Sequence, residues 1–295
     1  MRDETPSFTA AWVAAMRGLG AFLPERLRFI DDPYGVRFSR TFHGFRGPKG
    51  EVNGVASATA RLWFRGYLRR FAIYMQLRTR VIDDDLVAFA GAGGRQVVLL
   101  GAGFDCRAWR LAALAGATVF EVDHPATQKK KRAVVADDPP VGRVAFVPWN
   151  FERPLSELPA RLASEGHDAS APTMTVLEGV LMYLTPEATD ATFECIRHYS
   201  APGSPAAITF MDKSLIEDRS REGYGRRLIV GLAGEPFRNG FEPGTVPAWL
   251  EARGFRLELD ETAAQLGTRF LGPTIGRRIE SRRHARSHFA LVRRV

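Results

Sequence analysis

The sequence predicts an α/β fold: a mostly parallel, seven-stranded sheet with helices on both faces, an antiparallel pairing at one edge and a helical N-terminal cap. Short apolar runs recur from residue 96 onward, helical stretches lie between most of them, and the first run breaks into Gly-Ala-Gly. Alternation of this kind is what a parallel sheet covered by crossover helices requires.

From Thr5 to about Asp85 the chain reads as helices and turns, without a convincing β run. Phe8, Trp12, Met16 and Leu19 recur at helical spacing, as on an amphipathic face. In "LWFRGYLRRFAIYMQLRTRVIDDDLVAFA", Leu62, Tyr67, Phe71, Tyr74, Leu77 and Ile82 share a second such face. The glycines of "GAGGRQ" end that helix, and "VVLL" opens a buried strand. The strand candidates are "QVVLLG", "ATVFEVD", "RVAFVPW", "TMTVLEG" and "AAITFMD", with helices expected at 107–115, 125–135, 155–165 and 186–199. "GFRLELD" and "HFALVRRV" close the chain as strands suited to an antiparallel pair. The irregular stretch around 213–247 has the length and position of a lid. The expected division is a cap at 1–92 and a ligand-binding domain at 93–295.

Composition excludes several classes. No uncharged apolar run approaches the ~18 residues a membrane span needs, so no membrane partner is expected. Asp3 and Glu4 stand where a signal peptide carries basic residues. Cys106 and Cys195 are too few and too far apart for a disulfide framework or a zinc site; no metal is expected, and the cytoplasm is the expected location. The net charge is +8, but Arg269, Arg277, Arg278, Arg282, Arg283, Arg286, Arg293 and Arg294 crowd the last segment without interleaved aromatics. That pattern suits a solvated edge better than a nucleic-acid groove, and no nucleic-acid partner is expected.

Gly101 and Gly103 follow the first strand, where a ligand can lie against bare backbone and a helix N-terminus. Asp123 ends the second strand 22 positions after Gly101, close to the ~20-residue spacing at which an acid binds a ribose diol. A dinucleotide fingerprint wants a third glycine for close helix–strand packing; here that position is Cys106, followed by Arg107. S-adenosylmethionine has no pyrophosphate to cradle, so a shorter Gly-x-Gly suffices. The pattern therefore favours S-adenosyl-L-methionine over NAD.

"RTRVIDD", "VVLLGAGFDCRAWRL", "FEVDHP" and "LEGVLMYLTPEATD" occur in that order and together resemble the leucine carboxyl methyltransferase family. "TAAWVAAMRGLGAF" and "DDPYGVRF" are similar to the opening of its bacterial members, so the resemblance runs through most of residues 8–200. It implies a Rossmann-like class I methyltransferase. It assigns Arg78 to the cofactor carboxylate, a task suited to a planar guanidinium fork, and Glu178 to the pocket beneath the methionine ammonium. Gly101 and Gly103 match the methionine-side cradle, Asp123 the ribose-diol acceptor, and Arg17 a second basic contact from the cap. Tyr183 matches a position near the methyl acceptor. His124 is a candidate base or relay, and equally a cap for the helix after Pro125. Where the family usually has Asp-Leu-Arg after the third strand, this chain has Asn150-Phe151-Glu152-Arg153. The Asn150 amide oxygen can still accept from the adenine amino group, with Phe151 beside it. Glu152 stands in place of an arginine that would face a substrate carboxylate, unless Arg153 takes over by a one-residue shift.

The expected activity is S-adenosylmethionine-dependent O-methylation of a small-molecule hydroxyl or carboxylate, of the secondary-metabolism type. The alternatives are methylation of a protein C-terminal carboxylate, nucleotide-dependent oxidoreduction, and nucleic-acid binding.

Overall fold

All seven apolar runs pair into one sheet in the order β3-β2-β1-β4-β5-β7-β6 in a computed structural model, which describes residues 7–38, 67–151, 153–218, 236–242, 244–280 and 286–295. The strands are β1 Gln96–Leu100, β2 Thr118–Asp123, β3 Arg143–Pro148, β4 Thr173–Leu177, β5 Pro205–Met211, β6 Phe255–Thr262 and β7 Ser287–Arg294. β1 to β5 pair in parallel. β7 runs antiparallel to β5 and to β6, so the pairing expected at one edge is present, with β7 slotted between the other two. β1 and β4 are adjacent and buried along their whole length. Chain order reverses between them, which opens a crevice at their C-terminal ends.

Alternation along β1 sends Val98 and Leu100 to one face of the sheet and Val97 and Leu99 to the other. The first face is covered by helices α5 (Leu158–Ser164) and α6 (Pro186–Tyr199), through Leu158, Leu162, Phe193 and Tyr199. Thr185 caps α6 by accepting from Ala188 N at 3.2 Å, and Pro186 sits in its first turn, where no intrahelical donor is lost. The opposite face meets α2 (Tyr67–Gly91), through Leu77, Val81, Ile82 and Leu86. α1 (Phe8–Gly18) lies against α2 in a third apolar cluster that includes Ala15, Met16, Leu19 and Met75. Phe8, in the first turn of α1, is 55% exposed, unlike Met16 and Leu19 on its expected face. Leu62 lies outside the described residues.

Four shorter helices complete the α/β part: α3 (Arg107–Arg110), α4 (Pro125–Val134), α7 (Lys213–Ile216) and α8 (Val246–Glu251). The stretch expected as one helix at 107–115 breaks after Arg110 and resumes as a 3-10 turn at Ala112–Leu114. Two helices not anticipated from the sequence, α9 (Ala263–Leu271) and α10 (Pro273–Glu280), separate β6 from β7. Their signals are present in the chain. Thr262 and Gln265 form a reciprocal capping box, and Gly272, at φ 86°, ends α9 ahead of Pro273.

Three arginines of the basic tail have partners among the described residues. Arg269 pairs with Glu261, Arg293 with Glu258, and Arg286 donates to Ser214. No described helix is long and apolar enough to cross a membrane.

One buried histidine gives the fold a pH signature. His167 lies edge-on to Phe120 and Tyr199, its Nε2 3.0 Å from Thr173 Oγ1. Burial pushes its pKa down to about 4 from an ordinary 6.5. The folded chain thus binds fewer protons than the unfolded one inside that interval. The stabilisation is complete above pH 6.5 and is lost as the pH falls from there through about 4. The Tm measured by calorimetry should decline across that window, and it should decline less steeply in His167→Phe, which keeps the ring contacts and removes the titrating group.

Candidate active site

A cavity of about 810 Å³ opens at the C-terminal ends of β1, β2 and β4, and it gathers ten of the residues singled out from the sequence: Arg17, Arg78, Gly101, Gly103, Asp123, His124, Asn150, Phe151, Glu178 and Tyr183. They come from α1, α2, the turns after β1 and β2, the segment after β3 and the loop after β4.

The turn after β1 needs glycine at its first position and favours it at its third. Gly101 has φ 76°, and a Cβ there would fall 2.6 Å from Val180 Cγ2; Gly103 has φ 53°. Both backbones therefore stay bare on the cavity side. Asp123 holds this turn against β2, its Oδ2 accepting from Gly103 N and its Oδ1 from His124 N, both at 2.6 Å. Burial raises the Asp123 pKa, and the two amide donors oppose that rise. His124 caps α4, its Nδ1 accepting from Ala126 N at 3.3 Å. That satisfies one orphan amide of the helix.

Beneath the turn lies a buried ion network whose centre is Arg107. Its Nε donates to Asp83 Oδ1 at 2.6 Å and its Nη1 to Glu178 Oε2 at 2.8 Å, and it also pairs with Asp105. Arg110 grips the same Asp83 through Oδ2 at 2.6 Å and Oδ1 at 3.0 Å. Arg78 donates from Nε to Glu178 Oε1 at 2.9 Å, and Arg17 from Nε to Asp32 Oδ2 at 3.1 Å. The Arg17 Nη2 also donates to the Phe104 carbonyl at 2.8 Å, pinning α1 to the glycine turn. Burial alone would push the Glu178 carboxyl up, but Arg107, Arg78 and Arg17 hold it well below the usual carboxylate range. Four guanidiniums (Arg17, Arg78, Arg107, Arg110) thus face four carboxylates (Asp32, Asp83, Asp105, Glu178). The sequence presented Arg107 only as an interruption of a dinucleotide fingerprint. Its role follows from three acids that lie far apart in the chain.

The far side of the cavity has a different character. Tyr183, in the loop after β4, stacks on Phe237 with ring centroids 5.6 Å apart. Trp12, Phe71 and Tyr74 line the same space, so the α2 aromatics do more than fill an apolar face. Of the expected lid, residues 219–235 lie outside the described residues. Residues 236–242 are docked on the core: Arg238 N donates to Met182 O at 2.7 Å and Phe241 N to Met211 O at 2.9 Å. Arg153 does not take over a substrate-facing position. It pairs with Glu157 one helical turn on and covers the Trp149 ring at 4.9 Å, outside the cavity. Glu152 lies outside the described residues. Among the described residues, no cluster of His, Cys, Asp and Glu is placed to hold a metal ion.

The family model for leucine carboxyl methyltransferase matches residues 10–197. A protein from Mycolicibacterium smegmatis, provisionally named an S-adenosyl-L-methionine-dependent methyltransferase, is 34% identical over 229 residues, spanning 75% of this chain and 70% of that one. One of the same description from Rhodococcus jostii is 40% identical over 202 residues, 68% of this chain and 64% of that one. Among solved structures, a DUF574 family protein from Streptomyces avermitilis superposes with a TM-score of 0.57 at 16% identity, over 83% of this chain and 92% of that one. A provisionally named methyltransferase from Thermobifida fusca gives 0.54 at 20% identity, over 94% and 97%. At those identities the likeness speaks for the fold.

The ion network yields a stability test. Arg107→Met removes the shared partner of Asp83, Asp105 and Glu178 and leaves buried charge uncompensated, a change that costs about 3–5 kcal/mol. Urea unfolding should show a loss of that size. Arg107→Lys should recover only part of it, because an ammonium lacks the rigid fork that reaches three carboxylates.

Proposed function

The chain belongs to the leucine carboxyl methyltransferase family, whose relatives are S-adenosylmethionine-dependent methyltransferases, and from that premise we propose that it methylates an oxygen of a small molecule, a hydroxyl or a carboxylate. The observation that carries this reading is the single cavity in which a bare glycine turn, the acid ending β2 and an aromatic chamber adjoin. The family assignment replaces the nucleotide-dependent oxidoreductase alternative.

The residues present fit the cofactor. Gly101 and Gly103 leave bare backbone for its methionine half. Each Asp123 oxygen keeps a second lone pair after accepting its backbone amide, so both hydroxyls of a ribose diol can be met. Asn150 and Phe151 would flank the adenine. Arg78 would meet the methionine carboxylate, with Glu178 near the ammonium and Arg17 supporting the wall from α1. Because the buried network already balances its charges, a zwitterionic amino-acid end adds one charge of each sign and leaves that balance intact. S-adenosylmethionine, when bound, supplies a methyl group already activated on a sulfonium.

What remains for the chain is orientation and exclusion of water, effects worth several kcal/mol, on the order of 7–11 at most. Within the expected cap at 1–92, α1 and the start of α2 line the cavity and close it over the domain at 93–295. Tyr183 orients the acceptor. His124, with Nδ1 accepting from the helix, carries its proton on Nε2 and serves as a donor and cap rather than a base. A carboxylate or an already ionised phenol needs no base; a neutral hydroxyl gives up its proton to solvent before or as the methyl group is taken up.

Calorimetry with S-adenosylhomocysteine and with NAD tests the reading. Binding of the former and no response to the latter is expected; the reverse would overturn it. Asp123→Ala and Arg78→Ala should each weaken S-adenosylhomocysteine binding by about 1.5–3 kcal/mol, roughly tenfold to a hundredfold in Kd. Arg78→Lys should restore part of the loss.

A further inference from the structure

The acceptor side of the cavity carries its own selectivity, distinct from the cofactor side. Its walls are rings, with Tyr183 and Phe237 stacked at an interplanar angle of 24° and Trp12 and Phe71 also lining the space. Two exposed cations line the same cavity: Arg238, next in the chain to Phe237, and Arg70, one turn before Tyr74 on α2. Among the described residues neither guanidinium is paired with a carboxylate. The acids that line the cavity are otherwise committed. Glu178 serves Arg78 and Arg107, Asp105 serves Arg107, and Asp123 accepts two backbone amides.

Arg238 is also held in place. Its own amide donates to Met182 O at 2.7 Å, and the next residue anchors the segment through Asn239 Nδ2, which donates to Thr189 Oγ1 at 3.0 Å. The extended segment 236–242, a strap bearing Phe237 and Arg238, is thus tied to the loop bearing Tyr183. A ring wall and a cation are presented together, at a fixed offset. Uncompensated positive charge lining an apolar cleft raises the local concentration of anions, and a planar guanidinium meets a carboxylate through two parallel hydrogen bonds.

We propose that the methyl acceptor is a flat aromatic molecule bearing a carboxylate apart from the oxygen that is methylated. Its ring system lies along Tyr183 and Phe237, and its carboxylate is held by Arg238 together with Arg70. This rests on the methyltransferase reading of the same cavity and narrows its substrate class. It also reassigns the task that the family pattern gives to an arginine after β3: the anion is met from the segment 236–242, not from Arg153.

The test uses the full-length protein saturated with S-adenosylhomocysteine, whose own binding is measured first. The probes are 6-hydroxy-2-naphthoate and its uncharged isostere 6-hydroxy-2-naphthamide, titrated by naphthalene fluorescence. The carboxylate probe should bind about tenfold more tightly than the amide, the worth of one charge-assisted contact. Arg238→Ala, or Arg70→Ala combined with Arg238→Ala, should erase that preference while the affinity for S-adenosylhomocysteine stays within about twofold, since neither residue lies on the cofactor side. Phe237→Ala should weaken both probes alike. Equal binding of the two probes, no binding of either, or a preference that survives the double substitution overturns the proposal. An unchanged affinity for both probes in Phe237→Ala overturns the placement of the ring. Failure of the wild-type protein to bind S-adenosylhomocysteine overturns instead the methyltransferase reading on which the proposal stands.

Discussion

The fold around the cavity depends on one buried guanidinium. Arg107 joins Asp83 on α2, Asp105 on the glycine turn and Glu178 at the end of β4, three segments that share no continuous backbone. A buried carboxylate without a partner is costly enough that each of these acids must find a guanidinium or leave the interior, and Arg107 is the one that reaches all three. Satisfying all three at once therefore sets the height of α2 over the sheet and the position of the turn above β1. Arg78 and Arg110 extend the same network, and Arg17 ties α1 to the turn through the Phe104 carbonyl. Such a network adds little net stability over a well-packed apolar core. It supplies geometry, because guanidinium–carboxylate bonds are directional where apolar contacts are not.

That geometry divides the cavity into two environments. On one side the charges are paired among themselves and the backbone is bare, which suits a ligand that brings its own opposite charges and many hydrogen-bonding atoms. On the other side the walls are rings, with exposed cations beside them. The strap at 236–242 belongs to this second environment, and it is pinned by main-chain bonds to Met182 and Met211. The division matters for a transfer reaction, in which one partner must be held still while the other is admitted and released. Preorganised walls serve the first requirement and an exposed side the second.

Much of the glycine-turn side of the cavity was legible in the sequence because it depends on local rules. Gly101 is required and Gly103 favoured by positive φ, while Asp123 follows from the distance between successive parallel strands and His124 from helix capping. Each is a property of a few neighbouring residues, and the structure brings all of them to one cavity. The seven strands were legible for the same reason, since buried parallel strands are short apolar runs bounded by breakers. α9 and α10 were missed although the capping box at Thr262 and Gln265 is a local signal; the basic residues nearby masked their amphipathic pattern.

The sequence by itself determined the α/β class, the strand set and the residues of the glycine turn, since these follow from periodicity and from backbone conformations only certain residues can adopt. Only the tertiary structure decided the role of Arg107, the diversion of Arg153 to Glu157 and Trp149, and the pairing of Phe237 with Tyr183. Those outcomes turn on which charged and aromatic groups meet across long stretches of chain. Nothing in the local pattern distinguishes a buried arginine that bridges three acids from an exposed one in solvent: the difference is made by burial, which raises the cost of an unpaired charge until the partners must come together.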